Sequence, residues 1–268
     1  MPANEGTLLA VERQRIIEDL LYHQGAVRTV ELREILNVSV ATIRADLREL
    51  ESAGICEVIW GGAVSKRLPT QLGETFLLER SKLNAEAKRA IGARAVQLID
   101  VGQTIMIDAG TTAVEFVEHL PRDWDYLRLV TPSLSVAAAA AQFGYIELIM
   151  TGGVLHHLTR TLSGAQAVRA LEGVNADWAF LACGGFSLAR GAANSDTQEV
   201  EVKRTMVKQA AKVVLLADSS KFGKIRPLTV APLHAFDIVI TDNHLSDEDC
   251  AAIAALGPEV IRVEISDE

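Results

Sequence analysis

Apolar residues recur at the three- and four-residue spacing of amphipathic helices in three segments near the start of the chain. The first helix is predicted from Leu8 to about His23, the second from Thr29, and the third from Ser39 to Leu50. The side chains expected to face a common core are Ile16, Ile17, Leu20 and Leu21 in the first helix, Leu32, Ile35 and Leu36 in the second, and Ile43, Leu47 and Leu50 in the third. Thr29 and Ser39 offer side-chain oxygens that cap helix N-termini.

A short turn and a β-prone run flank the third helix. Asn37-Val38-Ser39 separates it from the second helix, and Val38 is expected to fill the small core. Gly54 ends the helix, and ICEVIWGGAV at 55–64 then combines strand-forming residues with a double-glycine turn. This order predicts a winged helix-turn-helix whose wing is the hairpin at 55–64.

The outward face of the third helix carries Thr42, Arg44 and Arg48. Hydroxyl and guanidinium groups suit phosphates and the acceptor edge of guanine, so we interpret this segment as a DNA recognition helix. The alternative is a three-helix interaction module whose arginines are simply solvated. The turn, the N-cap serine, the arginine pair and the glycine-terminated wing together favour DNA binding.

From Asn84 onwards, helical segments alternate with short apolar runs typical of buried strands. The predicted strands are QTIMID, LRLVT, YIELIMT, DWAFLAC, KVVLLAD, FDIVITD and VIRVEI. This alternation predicts right-handed βαβ units and a parallel sheet in one α/β domain of about 180 residues. Pro69 and Gly73 interrupt any regular pattern between the two regions. We predict a winged helix-turn-helix domain at 1–64, a linker at 65–82 and an α/β domain at 83–268.

Composition narrows the class of protein. Of the 268 residues, 49% are apolar and 23% are charged, enough to bury one large core and one small one. No apolar run approaches the roughly 18 residues of a membrane span, and the first residues lack the order of a signal peptide, so we expect a soluble cytoplasmic protein. Three cysteines without a CxxC pair indicate neither disulfides nor zinc, and the adjacent His156 and His157 point apart. No metal or cofactor is predicted.

The net charge of −9 opposes DNA binding if the chain is treated as one electrostatic object. Residues 1–67 carry eight Lys or Arg and ten Asp or Glu, a net charge of −2, so −7 falls on the remainder. Even the predicted DNA-binding domain is therefore mildly acidic. A single copy should have little non-specific affinity, and specific binding would need two or more copies on adjacent half-sites.

Small hydroxyl residues and glycines follow five of the predicted strands. The loops read DAGTT from Asp108, TPS from Thr131, TGG from Thr151, CGG from Cys183 and DSSK from Asp218. Parallel sheets bind ligands beyond the carboxyl ends of their strands, where the amides and hydroxyls of such loops converge. Each loop alone is more simply an ordinary turn or helix cap. Five such loops on one edge of the sheet favour an anion-binding site, and phosphate is the expected ligand.

Several residues in and near these loops suggest roles in binding. Gly110-Thr111-Thr112 opens a helix whose free amides and dipole favour negative charge, and Glu115 could complete a capping box. Lys221 is the first candidate for a balancing cation and Lys203 the second, while Asp108 would accept sugar hydroxyls. Neither GxGxxG nor GxxxxGK(S/T) is present, so a dinucleotide or P-loop nucleotide has no motif support.

The segment VSVATIRADLRELESAGI followed by WGGAV resembles the DNA-binding domain of DeoR-type bacterial transcriptional repressors, over about residues 11–64. The usual family form reads close to VSxxTIRRDLxxLExxGL with a wing ending in HGGAV, and this chain differs at Ala45, Val58 and Trp60. The candidate DNA-binding residues are Arg28, Ser39, Thr42, Arg44, Arg48, Trp60, Gly61 and Gly62.

The segments DAGTT, TPSL, TGGVL, LSG, EVEVKRTM and LLADSSKFGK extend the resemblance to the DeoR-type sensor domain, up to about residue 242. The resemblance implies a fold similar to ribose-5-phosphate isomerase, with a phosphorylated sugar or related metabolite as effector. It places the effector-binding positions at Asp108, Gly110, Thr111, Thr112, Thr131, Ser133, Gly152, Gly153, Lys203, Asp218 and Lys221.

An isomerase on this fold is the main alternative. It would need carboxylates to move protons between carbons, and related isomerases carry an acid-rich loop where this chain has CGGF with Gly184. A helical adaptor fused to an inactive fold is a third interpretation. We predict a non-enzymatic regulator, a repressor that binds operator DNA as a homo-oligomer, dimer or tetramer, and responds to a sugar-phosphate effector.

Overall fold

The computed structural model describes residues 9–24, 26–59, 61–66 and 77–266. The chain divides into two compact units, residues 1–76 and 77–268. Gly25, Trp60 and residues 67–76 of the predicted linker lie outside the described residues, so the predictions made for them stay predictions. At the two ends of that linker, Ser65 belongs to a strand and residues 77–82 are helical.

The described part of the first unit combines short helices with an antiparallel sheet. In chain order its elements are α1 (Ala10–Gln24), β1 (Ala26–Arg28), α2 (Thr29–Leu36), α3 (Val40–Ser52), β2 (Cys56–Ile59) and β3 (Gly62–Ser65). β3 lies between β1 and β2 and is antiparallel to both. The hairpin of β2 and β3 is the predicted wing, and β1 is an addition that the periodicity did not predict.

A small apolar core joins these elements. Its buried members include most of the residues predicted to face it, namely Ile17, Leu21, Leu32, Leu36, Ile43, Leu47 and Leu50, with Val38 packed against them. Two expectations for α2 were wrong. Ile35 is 57% exposed, because this two-turn helix turns only its Leu32–Leu36 edge to the core. Thr29 is the first helical residue, so Arg28 occupies the N-cap position, and the Thr29 amide donates to the carbonyl of Gly61 at 2.8 Å.

A parallel sheet forms the centre of the second unit. Its strands are β4 (Thr104–Ile107), β5 (Leu127–Thr131), β6 (Ile146–Met150), β9 (Ala176–Ala182), β12 (Ala210–Leu216), β14 (Ile238–Asp242) and β15 (Glu259–Val263). They lie in the order β15-β14-β12-β9-β4-β5-β6, and every neighbouring pair is parallel. The predicted α/β class with a parallel sheet is confirmed.

Helices cover both faces of this sheet, because alternate residues along each strand point to opposite sides. Ile105, Ile107 and Phe180 face a core shared with α4 (Ala85–Val96), α5 (Thr111–Glu118) and α6 (Leu134–Ala140). Met106 and Leu181 face a second core shared with α7 (Ala165–Glu172), α8 (Thr197–Gln209) and α9 (Asp247–Ala254). The result is a three-layer α/β unit.

Two small antiparallel sheets, which the sequence pattern did not predict, lie after β6 and after β9. β7 (Val154–His156) pairs with β8 (Thr161–Ser163), and β11 (Gly191–Asn194) lies between β10 (Gly185–Ser187) and β13 (Leu228–Ala231). Each of these strands has only three or four residues. Runs this short are too brief for alternation to be recognised in the sequence.

The direction of chain winding reverses between β4 and β9. The chain proceeds from β4 through β5 to β6 on one side, and then returns to the other side of β4 for β9, β12, β14 and β15. In open α/β sheets such a switch point leaves a crevice beyond the carboxyl ends of the two central strands. The loops that begin at Asp108 and Cys183 lie at this crevice, and the loop that begins at Asp218 follows the next strand.

Candidate functional site

The outward face of α3 presents the predicted recognition residues. Arg44 and Arg48 are exposed, Thr42 is half-buried, and Ile43 and Leu47 between them are buried. Ser39 occupies the N-cap: its Oγ accepts from the amide of Thr42 at 3.1 Å and lies 2.8 Å from the Thr42 hydroxyl. The cap fixes where the helix starts, and with it the direction in which the two guanidinium groups project.

A buried ion pair that the sequence reading missed anchors α3 to α1. Asp46, 3% exposed, accepts from Arg13 Nε at 2.9 Å and from its Nη2 at 3.0 Å. Hydrogen bonding to this carboxylate raises the pKa of Arg13. The signal was available in the sequence, since an acidic residue shares the buried face of α3 with Ile43 and Leu50.

The wing places its glycines against β1. Gly62 pairs with Arg28, and a Cβ at Gly62 would lie only 2.0 Å from the carbonyl oxygen of Val27. Gly61, with φ of 86°, takes the left-handed conformation that glycine tolerates. These two glycines shape the wing, and the exposed Arg28 lies at the end of β1, directly before α2.

Two predicted effector-site residues meet at the switch-point crevice, which we define as Asp108–Thr112 together with Cys183–Gly185. Asp108 and Lys203 are 1% and 3% exposed and form an ion pair. The amide of Ala182 also donates to Asp108 at 3.0 Å, and Lys203 donates to the carbonyl of Ala182 at 3.1 Å. Asp108 thus holds Lys203 against the end of β9, in addition to any role towards a sugar hydroxyl.

Asp218 and Lys221 lie on the neighbouring loop, after β12. Asp218 is buried and accepts from Ser220 Oγ and, at 2.8 Å, from Asn84 Nδ2. Burial lowers the pKa of Lys221, and the negative charge of Asp218 partly offsets this. Asn84, at the start of α4, is a residue of this region that the sequence reading did not select.

Two further cations at this end of the sheet were also missed. The pKa of Lys88 is lowered to about 8, mainly by burial; Asp218 opposes this shift, and the neighbouring Arg80 and Lys221 add to it. Burial likewise lowers the pKa of Arg80, while Glu199 and Asp218 oppose that shift. Lys88 could have been noticed, because it shares the helical spacing of the apolar Ile91 and Ala95; Arg80 gives no such signal.

The start of α5 has the geometry expected for an anion. Gly110, with φ of 136°, is its N-cap, and no side chain caps the helix, so the first amides of Thr111 and Thr112 are not covered by a capping group. The suggested capping box with Glu115 was wrong. Because the helix begins at Thr111, Glu115 is the fifth helical residue and lies too far along to reach the N-cap.

The four remaining predicted positions lie at the ends of β5 and β6, on the opposite side of β4 from β9. Thr131 Oγ1 accepts from the amide of Ser133, and Ser133 Oγ caps α6 by accepting from the amide of Val136. Gly152 and Gly153 have φ of 66° and 112°, and a Cβ at Gly153 would lie 2.4 Å from the carbonyl oxygen of Ser163. These four have local structural roles, and their part in binding stays a prediction.

A polar network holds the loop that follows β9. Gly184 donates from its amide to Asn194 Oδ1 at 2.6 Å and accepts from Arg226 Nε at 3.0 Å. Asn194 in turn donates to Glu199 at 3.5 Å, and Glu199 accepts from the Thr159 hydroxyl. Glu199 is the carboxylate of this network, and its hydrogen bonds hold it in place.

Two family models match the chain. A DeoR-like helix-turn-helix domain matches residues 13–67, and a DeoR C terminal sensor domain matches residues 83–243. The chain belongs to the DeoR family. It is therefore a DNA-binding transcriptional regulator with a sensor domain, and the predicted resemblance is confirmed in both halves.

Curated DeoR-type relatives match over nearly the whole chain. The chain is 31% identical to the putative aga operon transcriptional repressor of Escherichia coli O157:H7, over 94% of this chain and 93% of that protein. It is 35% identical to the transcriptional regulator GlpR of Haloferax volcanii, over 95% and 98% of the two chains. Its identity to the transcriptional regulator IolR of Bacillus subtilis is 32%, over 87% and 91%. These names support a regulatory role and not an enzymatic one.

Among solved structures, the ribose 5-phosphate isomerase A of Methanocaldococcus jannaschii is similar over 52% of this chain and 55% of its own. The sequence identity is 18% and the TM-score is 0.39, so the fold class rests on the observed sheet and not on this likeness. Within the part of the chain that the structure describes, no helix is both long and apolar enough to cross a bilayer.

Proposed function

We propose that this DeoR-family regulator is a repressor that binds operator DNA through α3 and the wing, and that a phosphorylated sugar bound at the switch-point crevice modulates its affinity for DNA. The DNA contacts would come from Arg44 and Arg48 on the exposed face of α3, with Arg28 beside the wing. Repression is supported by the Escherichia coli relative, named as a putative transcriptional repressor, which matches over almost its full length.

The charge balance around the crevice carries the proposal for the effector. Arg80, Lys88, Lys203 and Lys221 gather near the carboxylates of Asp108, Asp218 and Glu199. Burial is the main cause of the lowered pKa values of Lys88 and Lys221, so both ammonium groups lie where water is largely excluded. An anionic ligand at the uncapped start of α5 would add negative charge beside these cations, and a phosphate has the size and charge to do so.

Binding as a dimer or tetramer completes the proposal. The first 67 residues carry a net charge of −2, so one copy gains little from counterion release. Two copies on adjacent half-sites would add their specific contacts, and effector binding could then change how the two heads are spaced.

Fluorescence anisotropy with the DNA upstream of the gene and its neighbours tests the function. We expect sequence-selective binding that survives excess non-specific DNA and weakens in the presence of one member of a sugar-phosphate panel. Thermal unfolding with the same panel should identify that member by a raised Tm without turnover. Absence of sequence-selective binding, with and without every panel member, would refute the proposal.

A further inference from the structure

Residues 77–84, which we call the strap, are the first described residues after the segment that joins the two units. Residues 77–82 are helical, and the amide of Leu83 still donates to the carbonyl of Glu79 at 3.2 Å. Asn84 then adopts a left-handed conformation, with φ of 52°, and α4 begins at Ala85. The strap is therefore a short helical turn that meets α4 at a sharp corner.

One buried side chain fastens the strap to α4. Lys88 is only 5% exposed, lies beside the buried Ala87 and Ile91, and donates from Nζ to the carbonyls of Arg80 and Leu83. These carbonyls belong to the last turn of the strap, where a cation is favoured by the helix dipole. The strap thus cannot change its angle to α4 without disturbing a buried charge.

The side chain of Asn84 links the strap to the loop at 218–221. Asparagine is a good N-cap residue, yet Asn84 makes no capping hydrogen bond to α4. Its Nδ2 donates instead to Asp218 Oδ1 at 2.8 Å and to Ser220 Oγ at 3.1 Å. The guanidinium of Arg80 lies within electrostatic reach of the same Asp218 and of Glu199.

We propose that the strap transmits effector occupancy to the DNA-binding unit, with Asn84 as the positioning residue that couples it to the loop at 218–221. An anion bound beside Lys221 draws the positive charge of Arg80 towards itself and competes with Asp218 for the neighbouring cations. The Asn84 contacts convert that change into a shift of the strap, from which the chain leads back to the DNA-binding unit. This inference rests on the proposed effector site.

The Asn84→Gly variant tests the coupling. Glycine accepts the left-handed corner without strain, and Asn84 is exposed, so the variant removes both side-chain hydrogen bonds while keeping the backbone conformation. Glu79→Gln is the matched control, because Glu79 is an exposed strap residue whose side chain makes no hydrogen bond within the described residues. Full-length protein is used throughout, with ribose 5-phosphate and inorganic phosphate as probes.

Anisotropy should show the probe weakening DNA binding of the wild type and of Glu79→Gln at least fivefold. For Asn84→Gly we expect unchanged DNA affinity without probe and a probe affinity within threefold of the wild type. The coupling factor, by which we mean the factor by which the probe weakens DNA binding, should fall below two. A merely structural role would lower the affinities for DNA and for the probe together, and would leave the coupling factor intact. Coupling equal to that of the wild type, or loss of both affinities together, would overturn the inference.

Hydrogen exchange on the wild-type protein gives an independent reading. Probe binding should change exchange at residues 77–83 by at least threefold, in addition to any change at 218–221. Exchange that responds at 218–221 but not in the strap rejects the strap while leaving the effector site intact. A wild type whose DNA binding and exchange respond to neither probe, nor to the wider sugar-phosphate panel, rejects the proposed effector site and the strap with it.

Discussion

Arg44 is the side chain on which we expect DNA recognition to depend most directly. It is exposed on α3 beside the buried Ile43, so its guanidinium is available to a guanine edge or a phosphate while the helix stays anchored. We expect Arg44→Ala to weaken specific binding by about 1–3 kcal/mol, roughly a factor of 5 to 150, without lowering the Tm.

Anisotropy on the operator and a thermal melt measure the two effects of Arg44→Ala separately. Arg33→Ala is the matched control, because it removes the same charge from an exposed position on α2. Equal losses of DNA affinity for the two variants would mean that Arg44 contributes only its positive charge and makes no specific contact from the face of α3.

Lys203 and Asp108 form a buried pair whose members stabilise each other at the end of β9. Removing one partner leaves an uncompensated buried charge, so we expect Lys203→Met to lower the free energy of unfolding by about 3–5 kcal/mol. The double variant Asp108→Asn with Lys203→Met should lose less than the sum of the single losses.

Urea denaturation of the four proteins in this cycle measures the coupling between Lys203 and Asp108. Lys208→Met, an exposed lysine on the same helix, should cost little and serves as control. A loss below about 1 kcal/mol for Lys203→Met would show that the pair is not buried as described.

At the scale of elements, the buried Lys88 of α4 interacts with two other segments. It donates to the carbonyls of the strap and feels the charges of Asp218 and Lys221 in the loop after β12. Burial lowers the pKa of Lys88 from 10.5 to about 8, so between these pH values the unfolded chain holds a proton that the folded chain has lost. Stability contributed by this group therefore rises with pH across that window, by at most about 3 kcal/mol.

Urea denaturation from pH 7.5 to 10.5 checks the sign of this effect. The free energy of unfolding of the wild type should rise relative to that of Lys88→Met as the pH increases. Lys82→Met, which removes an exposed lysine nearby, should follow the wild type in parallel. A difference between wild type and Lys88→Met that stays flat, or that falls with pH, would contradict the buried position of the Lys88 ammonium.

At the scale of the whole molecule, an acidic chain must bind an acidic polymer. The net charge is −9 for the whole chain and −2 for the first 67 residues, so a single copy has little electrostatic affinity for DNA. We expect sedimentation velocity to show a dimer or tetramer, and footprinting to show half-sites with centres a whole number of about 10–10.5 bp turns apart. A monomer protecting a single half-site would refute this expectation.

Periodicity predicted the elements of both units because it reports which face of a long element is buried. Leu32, Ile43 and Leu47 followed that rule, as did the strands of the central sheet. The errors arose where a neighbour decided the outcome. Ile35 is exposed on a helix too short to bury it, and Thr29, expected to cap α2, is instead its first residue.

The sequence by itself determined the two units, the exposed arginine face of α3 and the polar loops that follow the strands, since these depend on residue type and local spacing. Only the tertiary structure decided which of those loops share a crevice, because the reversal between β4 and β9 joins Asp108 to Ala182 and Lys203. It also brought Asn84 to Asp218, 134 residues away. Long-range pairing of buried charges depends on how the chain winds, and no local pattern records it.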